Sequence, residues 1–431
     1  MDPNMRILQL STHSTLIPRH GGKLRSHHVA RVLEQAGFDV RRIAFCFRAG
    51  DDLDDPREPI IDVGRMPFWG SKEFEGYGPC RSYLSDYLAT VGALETPSIL
   101  EEFDDRIRAA TPDVILLEHP WTWPLLARLP EIQSGSVRIV YNSQNVEAAL
   151  KRQILHDVRI EASPGVLEGV ELLERSLVAH AIGVSTCTRA DAEAYVNWGA
   201  RRAVVAPNGG VLRERGPFLL DILPWPLEPA QSYAMVVGSG HPPNISGFMD
   251  LVAPALPLLR PCQRVVVAGG MGPGIAQALE AKGLGGIVNG RMILLGTVDD
   301  FCLDCAIANA HVLLLPIQYG GGSNVKTAEA LLSRRPTVAT SIAMRGFDGF
   351  REVPGLTVVK DNVDFGSAML AVLDRPFELR SADHPALSSL LWESTISPLV
   401  ELMRDIEKDL GVNRWRTPSS PSAAERSGQE A

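Results

Sequence analysis

The chain has 431 residues, 45% of them apolar and 22% charged, the proportions of an ordinary soluble globular protein with room for two or three domains of roughly 150 residues. A net charge of −9, from 42 Lys+Arg against 51 Asp+Glu, argues against nucleic acid as a main partner. The six cysteines lack a metal-binding spacing, Cys302-Leu-Asp-Cys305 having no second pair, so buried thiols in a reducing cytoplasm are expected; nothing resembles a leader, and no apolar run approaches the ~20 residues of a membrane span.

In chain order, Met5–Ser11 reads as a strand, Lys23–Ala36 as a helix stopped by Gly37, and Asp39–Phe45 as the next strand, the opening of a doubly wound α/β fold. From Arg48 to Pro79 the sequence is rich in Asp, Pro and Gly without a clear period, and reads as a loop or insertion near a cleft. Thr111–Glu118 and Ser136–Tyr141 are two further strands. Their ends carry Glu118, His119 and Trp121, and then Asn145 and Glu147, at the place where crevices form in such sheets. Val166–Ala181 is helical, Ala181–Ser185 a strand and Arg189–Trp198 a helix. The pattern pauses near Asn208-Gly-Gly, and the four prolines between Pro217 and Pro229 mark an interdomain region.

Tyr233–Val237, Arg264–Ala268 and Met292–Leu295 then alternate with helices, giving a second α/β domain. The expected division is residues 1–207 and 208–394, an amphipathic helix about 395–411 crossing back to the first domain, and a disordered tail over 412–431. Two Rossmann-like doubly wound domains thus face a cleft.

The densest chemistry lies in Tyr319–Ser341, YGGGSNVKTAEALLSRRPTVATS. A buried strand, His311–Pro316, leads into Gly320, Gly321 and Gly322, which permit positive φ and close backbone approach; Ser323 and Asn324 are N-cap candidates for the helix that follows. A helix N-terminus is an anion site, Lys326 adds a full charge against phosphate, and Glu329 one turn on suits a diol such as ribose. Pro336–Ser341 completes the βαβ unit. The alternative is a generic turn with a solvated Lys and Glu.

This segment resembles the nucleotide-sugar loop of glycosyltransferase family 4 and the group 1 glycosyltransferases. The stretch from Met5 to Val40 with Gly21 and Gly22, VYNSQNVE at 140–147, VVAPNGG at 204–210 and VVGSGHPPNISG at 236–247 resemble other family landmarks in the same order. The resemblance implies a GT-B fold and transfer of a sugar from a nucleoside diphosphate donor to an acceptor hydroxyl, retaining, without a metal or other cofactor. It implies Lys326, Glu329 and His119 as catalytic residues. Gly21, Gly22, Asn145, Asn244, Gly320, Gly321, Gly322, Ser323, Asn324 and Arg345 are implied as donor contacts. For Asn244, Asn145 and Arg345 the structural alternatives, a helix cap or a solvated cation, stay open.

Three departures stand out. Gly321 occupies the position of the first of two glutamates in many relatives, a basic pair is missing from GSGHPPNISG, and Gln144 replaces a histidine. A glutamine hydrogen-bonds a sugar but exchanges no protons near neutral pH. A non-catalytic nucleotide-sugar-binding subunit and a nucleotide-sugar epimerase are the alternatives. The acceptor, whether carbohydrate, lipid-linked or a small molecule, is open, as is peripheral contact with a membrane.

Overall fold

The computed structural model describes residues 4–18, 21–48, 55–212, 232–360, 364–376 and 385–411. The expected proline-rich interdomain stretch 217–229 and the tail 412–431 lie outside them.

Among the described residues the first sheet has seven strands: β1 (Arg6–Ser11), β2 (Asp39–Cys46), β3 (Ile60–Asp62), β4 (Val114–Leu117), β5 (Arg138–Asn142), β6 (Gly183–Thr186) and β7 (Ala203–Val205). They run parallel in the order β3-β2-β1-β4-β5-β6-β7. The second sheet holds β8 (Ser232–Val237), β9 (Gln263–Ala268), β10 (Met292–Gly296), β11 (Val312–Leu315), β12 (Thr337–Thr340) and β13 (Leu356–Val359). It is also parallel, ordered β10-β9-β8-β11-β12-β13. Strand order reverses between β1 and β4 in one sheet and between β8 and β11 in the other. Crevices open beyond the carboxyl ends of strands at such reversals.

Parallel strands covered by helices on both faces need continuous apolar runs, and Val114–Leu117 and Val312–Leu315 are buried throughout. One face of the first sheet packs Leu8, Leu10, Ile115 and Leu117 on Phe103 and Ile107. The other face, with Met5, Ile7, Val114 and Val140, takes the helix Gly21–Gln35 and also the last helix, Ser397–Asp409. That last helix buries Leu399, Val400, Leu402, Met403 and Ile406 there, so the chain ends its described course on the domain where it began.

Among its described residues, the stretch expected to be a loop from Arg48 to Pro79 contains β3 and four short helical turns, Val63–Arg65, Pro67–Gly70, Lys72–Gly76 and Gly78–Tyr83. Each is too short to establish a period. They are held by an aromatic cluster, with Phe68, Trp69 and Phe74 in edge contact and Phe47 4.7 Å from Trp69. Among the described residues no helix is long and apolar enough to cross a membrane.

Candidate active site

The loop after β11 delivers the helix Val325–Leu332 with its N-terminus toward the first domain. Asn324 stands at the N-cap position but makes no side-chain capping bond, and its buried Nδ2 has no partner. Lys326, half-buried, donates from Nζ to Asn244 Oδ1 at 2.7 Å. Burial lowers its pKa to about 8, and the nearby Glu329 charge opposes the shift. Asn244, anchored through Nδ2 to Ser239 O at 2.9 Å, therefore neither caps its helix, Pro242–Leu251, nor stands alone at the cleft: it aims the lysine.

Facing this loop are the start of the helix Gly21–Gln35 and the turn after β5. A Cβ on Gly21 would lie 3.8 Å from Val325, the first residue of the opposing helix, and one on Gly22 would lie 3.1 Å from Gln144 Oε1. Two helix N-termini thus converge on one gap. Gly322 has φ +58, and a Cβ there would lie 2.2 Å from the Gln144 carbonyl oxygen; at Gly321 it would lie 2.6 Å from Asn145 Oδ1. Any side chain at position 321 would have to displace that of Asn145. Asn145 Nδ2 is occupied by Glu147 at 3.1 Å.

Two of the expected donor contacts also have partners within the protein. Ser323 is buried at the domain junction, where its Oγ accepts from Asn208 N at 2.8 Å and its carbonyl from Asn208 Nδ2 at 2.7 Å. Arg345 donates to the carbonyls of Gly320 and Gly321, clamping the glycine loop.

Residues 20–209 match the family model of the glycosyl transferase 4-like domain, and residues 231–375 that of the glycosyl transferases group 1. The chain is a glycosyltransferase, with a glycosyl transferase 4-like first domain and a group 1 second domain. Its fold is shared by sucrose-phosphate synthase from Thermosynechococcus elongatus, with TM-score 0.68, 17% identity and coverage of 94% of this chain and 100% of that one. It is shared by the trehalose-phosphate synthase of Burkholderia xenovorans in complex with glucose-6-phosphate (0.62, 15%, 93% and 100%). A third neighbour is the E. coli trehalose-6-phosphate protein bound with UDP-2-fluoro glucose (0.58, 14%, 95% and 99%). These likenesses establish the GT-B arrangement of two facing domains. No curated protein matches the chain in sequence.

Behind the gap, the glycosyltransferase carries a buried polar network that local sequence pattern does not reveal. Glu118, expected at the cleft surface, is fully buried and accepts from Gln9 at 2.7 Å, Ser26 at 3.0 Å and Asn142 at 3.1 Å; Trp121 is buried too. Burial raises the Glu118 pKa against the pull of these bonds and of Arg25. Arg25 in turn donates to Asn142 at 3.0 Å, to Ala206 O at 2.9 Å and to Asn208 at 3.4 Å. Of the residues ending β4, only His119 reaches the open cleft, its Nδ1 3.1 Å from Thr12 Oγ1 and its ring edge-on to His13.

Those two histidines line a cavity of about 530 Å³ in the glycosyltransferase, together with Phe47, Asp86 and Lys151 of the first domain and His241 of the second. His241 has its pKa lowered by burial and by the charges of Lys151 and Lys326. Lys151 is buried, with Nζ 2.9 Å from both Asp86 oxygens. Glu147, buried beside it, has its pKa raised to about 7 by burial, with Lys151 opposing and Glu174 and Asp86 reinforcing the shift. Of the cysteines, Cys46, Cys80 and Cys187 are buried as expected, but Cys262 is exposed and Cys302 and Cys305 are half-buried, because they lie at helix and loop surfaces.

Proposed function

We propose that this glycosyltransferase takes its sugar from a nucleoside diphosphate donor held between the domains and passes it to an acceptor hydroxyl with retention, without requiring a metal. The observation that carries this reading is that two helix N-termini, at Gly21 and Val325, face one another across the domains, with Lys326 in the first turn of the second helix.

When the bond from the anomeric carbon to the diphosphate oxygen breaks, negative charge grows on the leaving group. An ammonium and two sets of backbone N–H groups, fixed beforehand, stabilise that charge without reorganising. The incoming hydroxyl forms its bond on the face the diphosphate leaves and gives its proton to a phosphate oxygen. Gln144 in place of a histidine agrees with a scheme that needs no imidazole there, and Gly321 removes one carboxylate that a double displacement would use. Glu329, one turn beyond Lys326, takes hydrogen bonds from the ribose, and His119 contacts the sugar. The UDP-2-fluoro glucose named for the E. coli neighbour supports a donor of this class.

Thermal unfolding of the purified protein against a panel of nucleoside diphosphates and their sugars tests the reading, since a ligand of the folded state raises its apparent stability. A rise that disappears in Lys326→Ala is expected. A panel without any rise, or one unchanged by the substitution, refutes the donor site.

A further inference from the structure

We infer that the cavity beside the donor gap is an acceptor subsite for an uncharged polyhydroxylated ring, a sugar whose hydroxyl donates to Asp86 and whose face rests on Phe47. The inference rests on the glycosyltransfer reading and deepens it by naming the acceptor class.

The cavity is about 530 Å³, within the range of small-molecule sites, and is walled by both domains, so what it holds lies next to the donor gap. Its charge balance selects the occupant. Lys151 is its buried cation, and that ammonium is already engaged, at 2.9 Å from each Asp86 oxygen and 3.1 Å from the Tyr83 carbonyl. The Glu147 carboxyl lies behind it and shares its field. An anionic group entering here meets Asp86 and finds the ammonium's bonds taken. A hydroxyl does better, because a carboxylate oxygen bonded once still has lone-pair capacity. Asp86 keeps 35% of its side chain exposed while Lys151 keeps 10%, so the carboxylate is the member of the pair offered to the cavity.

The lysine has a second constraint. Its Nζ lies 5.3 Å from the centroid of the buried Trp121 ring, which with Tyr83 O fixes the ammonium and so fixes the carboxylate it holds. His13, His119 and His241 add ring nitrogens that donate or accept, the pairing a polyol needs on its other hydroxyls. Phe47 completes the site: a large apolar side chain, 46% exposed, lining the cavity with Trp69 against it at 4.7 Å. Trp69 is itself held by its Nε1 bond to Val63 O at 2.6 Å, so the exposed ring is braced from behind. Aromatic faces and fixed carboxylates are complementary to the C–H faces and O–H edges of a sugar.

Ligand-observed saturation-transfer NMR on the full chain, with glucose, galactose, mannose and their 6-phosphates as probes, tests this directly. At least one free hexose should bind, no 6-phosphate should bind more tightly than its parent sugar, Asp86→Asn should weaken binding roughly tenfold, the size of one hydrogen bond to a charged group, and Phe47→Ala should weaken it measurably by removing the apolar face. Phe47→Ala keeps the test decisive where Asp86→Asn, by removing the partner of a buried ammonium, fails to fold. Binding of no hexose, preference for the phosphates, or binding unchanged in both variants overturns the inference. Nucleoside diphosphate binding on the same samples reports separately on the donor site: its absence in the parent protein counts against the donor reading while the hexose result stands, and its retention in the variants shows that they fold.

Discussion

Lys326 is half-buried in the first turn of its helix, and its pKa of about 8 has a direct consequence for the donor binding proposed above. The ammonium is the form that attracts a diphosphate. It is fully present below about pH 8 and is lost as the pH rises through that value, so donor affinity should fall by up to about tenfold between pH 7 and 9. Bound diphosphate favours the charged form, so binding near pH 8 should take up a proton. Titration calorimetry in buffers of different ionisation enthalpy measures both effects. Lys326→Arg, whose guanidinium stays charged, should abolish the fall; a parent protein with flat affinity over this range would show that Lys326 is not the cation involved.

Glu147 has the opposite sign of linkage. Its pKa in the folded protein, about 7, is above the ordinary value of 4.5. A carboxyl raised in this way favours the folded state at low pH and costs stability as the pH climbs from about 4.5 to about 7, where the unfolded chain ionises first. Glu147→Gln carries no such cost, so the variant should gain in Tm relative to the parent between pH 5 and 8. A constant difference across that interval would mean that Glu147 ionises normally.

Among the elements, the glycine loop after β11 is the one whose shape is dictated from outside. With φ +58 at Gly322 and the Gln144 carbonyl oxygen 2.2 Å from a would-be Cβ, Gly322→Ala is strained twice, in its backbone and in its fit to the first domain. The substitution should cost about 1–3 kcal/mol in chemical denaturation and sharply reduce turnover. Turnover at the parent rate would show that the loop does not dock on Gln144 during catalysis. The loop itself was legible in the sequence, because a strand, three glycines, a cap position and Lys326 are all neighbours along the chain. So were the apolar strands β1, β2, β8, β9 and β11.

The three-residue strands β3 and β7 offered too few positions for a period, and β13 is four residues long with only Val359 buried. Partnerships across the fold were equally invisible to local pattern. Asn244 is 82 residues from Lys326, and Asp86 is 65 residues from Lys151. For Arg345 the sequence left a phosphate cation and a solvated side chain open, because nothing nearby in sequence shows what holds it. Its partners are backbone carbonyls, which carry no residue signature.

At the scale of the whole molecule, the domains are joined by more than their linker. Asn208, in the stretch after β7, holds Ser323 of the second domain through two hydrogen bonds, and through Arg25 it connects to the Glu118 network under the first sheet. Asn208→Ala removes the side-chain bond and unties that route, so the domains should rest further apart. Small-angle scattering should record a larger radius of gyration that contracts when a nucleotide is added. An unchanged radius without nucleotide would mean that packing alone sets the domain spacing.

Among the described residues the chain passes between the domains at two places that lie side by side. Gly210 pairs with Leu391 as a single parallel bridge, its N–H donating to Leu390 O at 2.9 Å while Trp392 N donates back to Gly210 O at 3.3 Å. Immediately afterwards Trp392 stacks on His28, and the last helix seals the first sheet. In topological terms the second domain is a guest inserted into its host, entering and leaving through one doorway. A guest attached in this way is exchangeable. Replacing the segment between Gly210 and Leu391 by its counterpart from another glycosyltransferase should transplant the choice of activated sugar as a cassette, while the host keeps its own choice of the molecule to be glycosylated.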